Sequence, residues 1–296
     1  MKNLSVGVGC EPQQELAFQL LKFSIEKFFD SNEYNLNISA IYDLEIDISI
    51  EESTFKNQKT PFSFQRFIFA NWFLEKNDDQ DIGIYLDSDM LVLDNLEKLI
   101  DAFKSLNQDI GICDTKQYWQ RKHQQAVMVF NSKGANEISQ KFQTYLSNDI
   151  NYEKLMTKPN YNKFLPYFWN SQEEVMEDTK LIHFTDMDFQ PWLRKDNVNS
   201  GIWLSYLRDF LNNQSSVEIL KSEIKKHNVR PSLGELILNP PNFPVPSFWW
   251  SMRDIFFVPP HRLKLIKGNL RVFLSPFLNI FIFIQKVIKN NKINKI

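Results

Sequence analysis

The chain has 296 residues, 43% hydrophobic and 24% charged, a balance that fits a folded soluble protein and excludes a disordered or fibrous one. Only 8 residues are glycine, and no phosphate-cradling G-x-x-x-x-G-K-[ST] loop occurs; the near-miss to a dinucleotide loop, Gly7-Val8-Gly9, has Pro12 where a third glycine belongs. The formal charge of −2 is uneven: nine basic residues and one acidic residue follow Met252, so the body before them is acidic and excludes a nucleic-acid partner there.

HExxH, CxxC and nucleophile-elbow patterns are absent, which argues against zinc proteases, redox dithiols and α/β-hydrolases. Two cysteines, Cys10 and Cys113, make no disulfide framework, and Met1-Lys2-Asn3-Leu4 does not open a signal peptide. A reducing, cytoplasmic compartment is expected.

Leu4 to Gly9 alternates and predicts a strand. Gln13 to Phe29 predicts an amphipathic helix entered through Pro12, and Asn37 to Tyr42 a second strand. Phe62 to Glu75 reads as a helix. Ile82 to Leu86 is a continuous apolar run, the mark of a strand covered on both faces. After it Asp94 is expected to cap a helix with Leu96, Leu99, Ile100 and Phe103 inside. Strands are predicted at Ile110–Cys113, Ala126–Phe130 and Leu181–Phe184, with a helix over Gly134–Leu146. Strands interleaved with helices imply an α/β fold, a sheet flanked by helices. Beyond Asn199, helices are expected over Ile202–Leu211 and Val217–Lys226, the second behind the capping box Ser215-x-x-Glu218. Pro231 to Pro260 holds seven of the 13 prolines and reads as extended wrapping chain.

Three D-x-D pairs occur, and context separates them. Asp79/Asp81 lies in a polar stretch and reads as solvated, whereas Asp87/Asp89 stands where a buried strand ends, the edge at which open α/β sheets bind ligands. Two carboxylates so spaced can share a hard divalent cation able to neutralise a diphosphate. His183 ends another apolar run, and imidazole beside two carboxylates suits Mn2+.

These segments together resemble a GT-A glycosyltransferase, close to glycosyltransferase family eight and its bacterial relatives. The resemblance rests on Val6-Gly7-Val8-Gly9-Cys10-Glu11, Ser63-Phe64-Gln65-Arg66-Phe67, Ile84 to Val92 around Asp87-Ser88-Asp89, Ala126 to Asn131, Leu165-Pro166 with Trp169-Asn170, and His183-Phe184-Thr185-Asp186. It implies a GT-A fold with a mixed, mostly parallel sheet and a C-terminal helical extension. It also implies metal-dependent transfer of a sugar from a nucleotide-diphosphate donor, UDP by family habit, to a glycan or lipid-linked acceptor, with retention at the anomeric carbon. By this resemblance Asp87, Asp89 and His183 hold Mn2+ or Mg2+. Val8, Gly9, Cys10, Arg66, Ser88 and Gln190 contact the donor, and Asp186 and Gln125 are the catalytic candidates. The family's H-x-x-G-x-x-K-P-W is altered: Asp186 replaces its glycine, Gln190 its lysine, and the spacing is one residue longer. Arg194 or Lys195 is then asked for the missing charge. Gln124-Gln125-Ala126 replaces an Asn-Ala-Gly that lines the donor sugar.

The expected organisation is a catalytic domain over 1–200, a helical and proline-rich extension over 201–260, and a basic amphipathic tail over 261–296. Ser275-Pro276 opens an apolar stretch flanked by Arg262, Lys264, Lys267, Arg271 and Lys286 to Lys295, a pattern suited equally to a helix on an anionic membrane surface and to one packed on the body or on a second subunit. Two other readings compete: a non-catalytic binding protein on a degenerate transferase fold, and a haloacid-dehalogenase-like phosphatase, against which Leu91 stands where that motif has Thr or Val.

Overall fold

The structure, a computed structural model, describes residues 1–45, 64–113, 125–156, 163–240, 247–260 and 277. The basic tail over 261–296 apart from Phe277 lies outside the described residues, as do Ser63, Trp119, His123 and Gln124. The chain divides into two compact units, Met1–His183 and Phe184–Ile296. Among the described residues no helix is long and apolar enough to cross a membrane.

In the first unit the strands β1 (Lys2–Gly9), β2 (Tyr34–Ala40), β3 (Ile82–Asp87), β5 (Ile110–Ile112) and β6 (Val127–Phe130) form a sheet of order β2-β1-β3-β6-β5. Only β6 runs against the other four strands, so the sheet is mixed and mostly parallel. A second sheet joins β4 (Met90–Val92), β8 (Leu181–His183) and β7 (Ser171–Gln172), with β8 in the middle.

The pleat sorts side chains into two cores. Leu4, Val6, Val8, Ile84, Leu86, Val127 and Val129 face helices α1 (Glu15–Phe28) and α3 (Glu97–Leu106). Tyr85, Met128 and Phe130 face α2 (Gln65–Lys76) and α4 (Ser132–Leu146). That second core is aromatic, with Phe69, Phe73 and Phe130 in tilted and edge-on contact.

Rings lying on a sheet need room, and glycine provides it. A Cβ on Gly7 would stand 2.4 Å from the Phe69 ring, and one on Gly83 would stand 2.2 Å from that of Phe130. The left-handed backbone positions go instead to Asn107, Asn148, Glu173 and His227.

Several local expectations are corrected. The second strand covers Tyr34–Ala40 and gives way to a 3-10 turn over Ile41–Asp43, because it continues only as far as its register with Val8. Asp94 does not cap α3, whose N-cap position is Leu96; its carboxylate instead engages Lys98 and Lys180. Asp81 is not solvated: it is buried and accepts from the backbone and side-chain amides of Asn3 at 2.6 and 3.0 Å and from Asp78 N–H at 2.9 Å. Those bonds outweigh the upward push of burial and hold its pKa below the ordinary value.

The first unit's last α-helix is α5 (Tyr152–Met156), and the second unit carries α6 (Ser200–Phe210), α7 (Gln214–Lys225), α8 (Pro231–Leu238) and α9 (Ser247–Arg253). The N-cap of α7 is Asn213, whose side chain accepts from Ser215 N–H, so Ser215 lies inside the helix. The proline-rich stretch is partly helical: Pro231 sits at the first helical position, where its missing N–H costs nothing. A buried network then fixes that turn. Arg230 donates its backbone N–H to Trp192 O and its Nε to Pro191 O, while Ser232 gives both backbone N–H and hydroxyl to Asp254.

Gly83→Ala should lower the stability of the chain by roughly 1–3 kcal/mol in urea unfolding, the usual cost of overpacking, and Phe130→Leu in the same chain should recover part of it.

Candidate metal and donor site

β3 ends at Asp87 and β4 begins at Met90, so Asp87-Ser88-Asp89 is the short link by which the chain leaves one sheet for the other. The link is pinned at both sides: Asp87 N–H donates to Ala126 O at 3.2 Å and Ser88 N–H to Gly9 O at 3.0 Å. Antiparallel pairing sets Met90 opposite His183 and thereby brings the imidazole, from 96 residues further along, beside the two carboxylates. Asp87, Asp89 and His183 are all buried, and each offers a ligand atom within 4.8 Å of the others'.

The electrostatics are those of anions held away from water. Burial raises the pKa of Asp87 above the ordinary carboxylate value; Arg66 opposes this and Asp89 adds to it. An Arg66 Nη2 lies 3.8 Å from Asp87 Oδ1, and the same oxygen accepts the Tyr85 hydroxyl at 2.6 Å. Burial alone would depress His183, but Asp89, 3.2 Å from Nε2, together with Asp87 and Glu173, lifts its pKa above the ordinary imidazole value.

The donor set fits a divalent cation. His183 Nδ1 donates to Asn170 Oδ1 at 2.8 Å, which fixes the ring and leaves Nε2 facing the carboxylates, the arrangement in which imidazole ligates a metal. Two carboxylate oxygens with one imidazole nitrogen suit a cation of the Mn2+ or Mg2+ kind. The surroundings also ask for a polar ligand. Among the described residues, Arg66 Nε, Ser88 Oγ and Asn170 Nδ2 are buried here without a hydrogen-bond partner in the protein; so is Gln125 Oε1, but that side chain lies among Phe67, Ile112, Met128 and Lys141 and gives its Nε2 to Met156 O at 3.5 Å. Such atoms cost roughly 1–3 kcal/mol each unless something binds them.

The structure thus brings together Asp87, Ser88, Asp89, His183 and Arg66. Gly9 is in register with Asp87. Val8 is fully buried in the core, and its carbonyl accepts the Cys10 thiol. Cys10 is buried, its thiol pushed well above the usual range by burial and the acids nearby, and its carbonyl accepts Gln65 Nε2 at 2.8 Å. Gln125 immediately precedes the Ala126 carbonyl that holds Asp87. Asp186 and Gln190 belong to the second unit: Asp186 Oδ1 accepts Asp188 N–H at 3.3 Å, and Gln190 Nε2 donates to Phe184 O at 3.2 Å. Trp192 is buried there, edge-on to Phe184 and tilted on Trp203, as a core residue.

Sequence reasoning missed Tyr85, Asn170 and the Asp94–Lys180 pair. Tyr85 stands two residues before Asp87 on a strand, and that spacing is the one signal available for a shared face.

No family model matches the chain, and no curated protein matches it in sequence. Solved structures do. The bifunctional glycosyltransferase WbbM matches at 14% identity with a TM-score of 0.50, over 74% of this chain and 51% of its own, so this chain spans about half of that protein. The galactosyltransferase LgtC, solved in complex with donor and acceptor sugar analogues, matches at 13% identity over 69% of this chain and 94% of its own, with a TM-score of 0.44. GlyE of Streptococcus pneumoniae TIGR4 matches at 14% identity over 78% and 65%, with a TM-score of 0.47. The chain therefore has the GT-A glycosyltransferase fold, established by the likeness to WbbM.

The clasp that holds β8 against β4 gives a prediction. Lys180 Nζ lies 2.6 Å from Asp94 Oδ2, beside the Leu93 N–H to Lys180 O bond of 2.8 Å. Burial pushes Asp94 up, but Lys180, Lys98 and the Asn95 N–H hold it down at about 2. A depressed folded-state pKa stabilises fully above the unfolded value near 4 and is lost as pH falls through 2. Asp94→Asn should cost roughly 0.5–1 kcal/mol at pH 7, and urea titrations of the two proteins should converge between pH 4 and pH 2.

Proposed function

We propose that the chain is a metal-dependent glycosyltransferase that moves a sugar from a nucleoside-diphosphate donor to an acceptor hydroxyl. The observation that carries this reading is the buried Asp87–Asp89–His183 cluster at the sheet's carboxyl edge, in a fold shared with a glycosyltransferase. UDP as the nucleotide, a glycan or lipid-linked acceptor and retention of configuration rest on the family resemblance.

The two carboxylates and His183 Nε2 would hold the cation, Mn2+ or Mg2+, which when bound supplies Lewis-acid neutralisation of the departing diphosphate. Arg66 would act on the same side as a fixed planar cation, its Nε still unsatisfied and its Nη2 turned to Asp87. Ser88 Oγ and Asn170 Nδ2, both buried without partners, would donate to donor oxygens, and a place for Gln125 at the donor sugar rests on the family resemblance. Made away from bulk water, each such bond would form in a low-dielectric setting where it is strongest. The Gly9 backbone, fixed by Ser88 N–H, and Cys10 would border the nucleotide. The roles of Gln190 at the donor diphosphate and of Asp186 in orienting or deprotonating the acceptor rest on the sequence and its family resemblance.

A panel of nucleotide sugars incubated with the full chain and Mn2+ tests the reading. Release of nucleoside diphosphate, slow with water and faster with acceptor, is expected. Asp87→Asn and Asp89→Asn should each cut the rate at least 100-fold and abolish Mn2+-dependent nucleotide binding in calorimetry, and His183→Ala should do so less completely. Asp79→Asn should leave both unchanged. Nucleotide binding without turnover would favour a binding protein on this fold, and phosphate release from simple esters a phosphatase.

A further inference from the structure

Tyr85 and Asp87 lie two residues apart on β3, so the pleat turns both side chains to one face of the sheet. The Tyr85 ring is fully buried in the aromatic core with Phe69 and Phe130, yet its hydroxyl reaches the site and donates to Asp87 Oδ1 at 2.6 Å. A phenol has one proton to give and an ionised carboxylate has none, so the direction of that bond is fixed. The face of the same ring lies 5.2 Å from the guanidinium carbon of Arg66, whose Nη2 also approaches Oδ1. Opposite, Gly9 keeps the space clear: a Cβ there would fall 2.1 Å from the Tyr85 hydroxyl oxygen.

One oxygen of Asp87 is thus engaged from two directions by groups that belong to the folded core. A carboxylate is free to turn about its last bond, and either oxygen can then face a ligand. With Oδ1 held, that rotation is stopped.

We propose that Tyr85 is a positioning residue: its hydroxyl locks the Asp87 carboxylate so that Oδ2 is the oxygen presented to the cation, and its ring seats Arg66 beside it. This rests on the metal-dependent reading of the site. It assigns to an apparently structural core tyrosine an influence on metal affinity through the partner of a ligand, where losses of 10–100-fold are usual.

The test is Mn2+ affinity of the full chain, read from the electron paramagnetic resonance of free Mn2+, together with the metal-free unfolding midpoint. Four proteins are compared: wild type, Tyr85→Phe, Asp87→Asn and Ser139→Ala. Tyr85→Phe keeps the ring, its packing and its contact with Arg66 and removes only the hydroxyl. Ser139→Ala removes a comparable bond, Ser139 Oγ to Asn71 Oδ1 at 2.8 Å between α4 and α2, away from the acids. The expected result is a 10–100-fold weaker Mn2+ affinity for Tyr85→Phe, wild-type affinity for Ser139→Ala, and similar unfolding midpoints for these two variants. Wild-type affinity in Tyr85→Phe overturns the proposal. So does an equal loss in Ser139→Ala, because general loosening would then account for both. If wild type and Asp87→Asn bind Mn2+ alike or not at all, the metal reading itself falls and the positioning role falls with it.

Discussion

Two carboxylates buried side by side are the constraint to which the rest of the first unit answers. Asp87 and Asp89 are only 8% and 9% exposed, and carboxylates so placed fold only when positive charge and hydrogen-bond donors reach them. Arg66 comes from the first turn of α2, His183 from β8 and the Tyr85 hydroxyl from β3 itself. Each delivery fixes an element: α2 must start against the end of β1, and β8 must pair with β4 in the register that sets His183 opposite Met90. A one-residue slip of β8 would turn the imidazole to the other face and leave Asp89 without it.

The same deliveries explain why the second sheet exists. β4 and β8 pair over only three residues each, too little to stand alone. They are held by the Asp94–Lys180 clasp at one end and the acid–imidazole contact at the other, with the fully buried Leu91 and Ile182 between. The site is therefore part of what holds this sheet together, as well as a surface placed on it.

Much of this was legible in the sequence. The apolar run over 82–86 announces a strand covered on both faces and that over 126–130 a further strand, and a D-x-D at the exit of the first stands out from one in a polar stretch. His183 could be paired with it because it too ends an apolar run. What was not legible depends on partners distant in sequence. Asp81 sits in a run of polar residues, yet Asn3, 78 residues away, supplies the amides that make its burial tolerable. Asp94 has the spacing of a helix cap but finds Lys180 nearer its need. Asn170 orients His183 from 13 residues earlier, just ahead of β7. Proline content misled beyond Pro231 because a proline at a helix start and a proline in extended chain look the same without the residues that pack around them.

The fit between Gly9 and the ring across from it also limits the order in which this sequence can diverge. Any side chain at position 9 collides with the Tyr85 hydroxyl oxygen and with the ring carbon behind it, at 2.1 and 2.8 Å. Position 85 can shrink first, at the cost of a cavity and of the bond to Asp87, after which position 9 is free to grow; the reverse path passes through a collision. The two sites are thus epistatic with a direction, and Phe69 over Gly7 and Phe130 over Gly83 obey the same rule. A lineage of this fold that carries alanine at position 9 should be one that gave up the tyrosine beforehand.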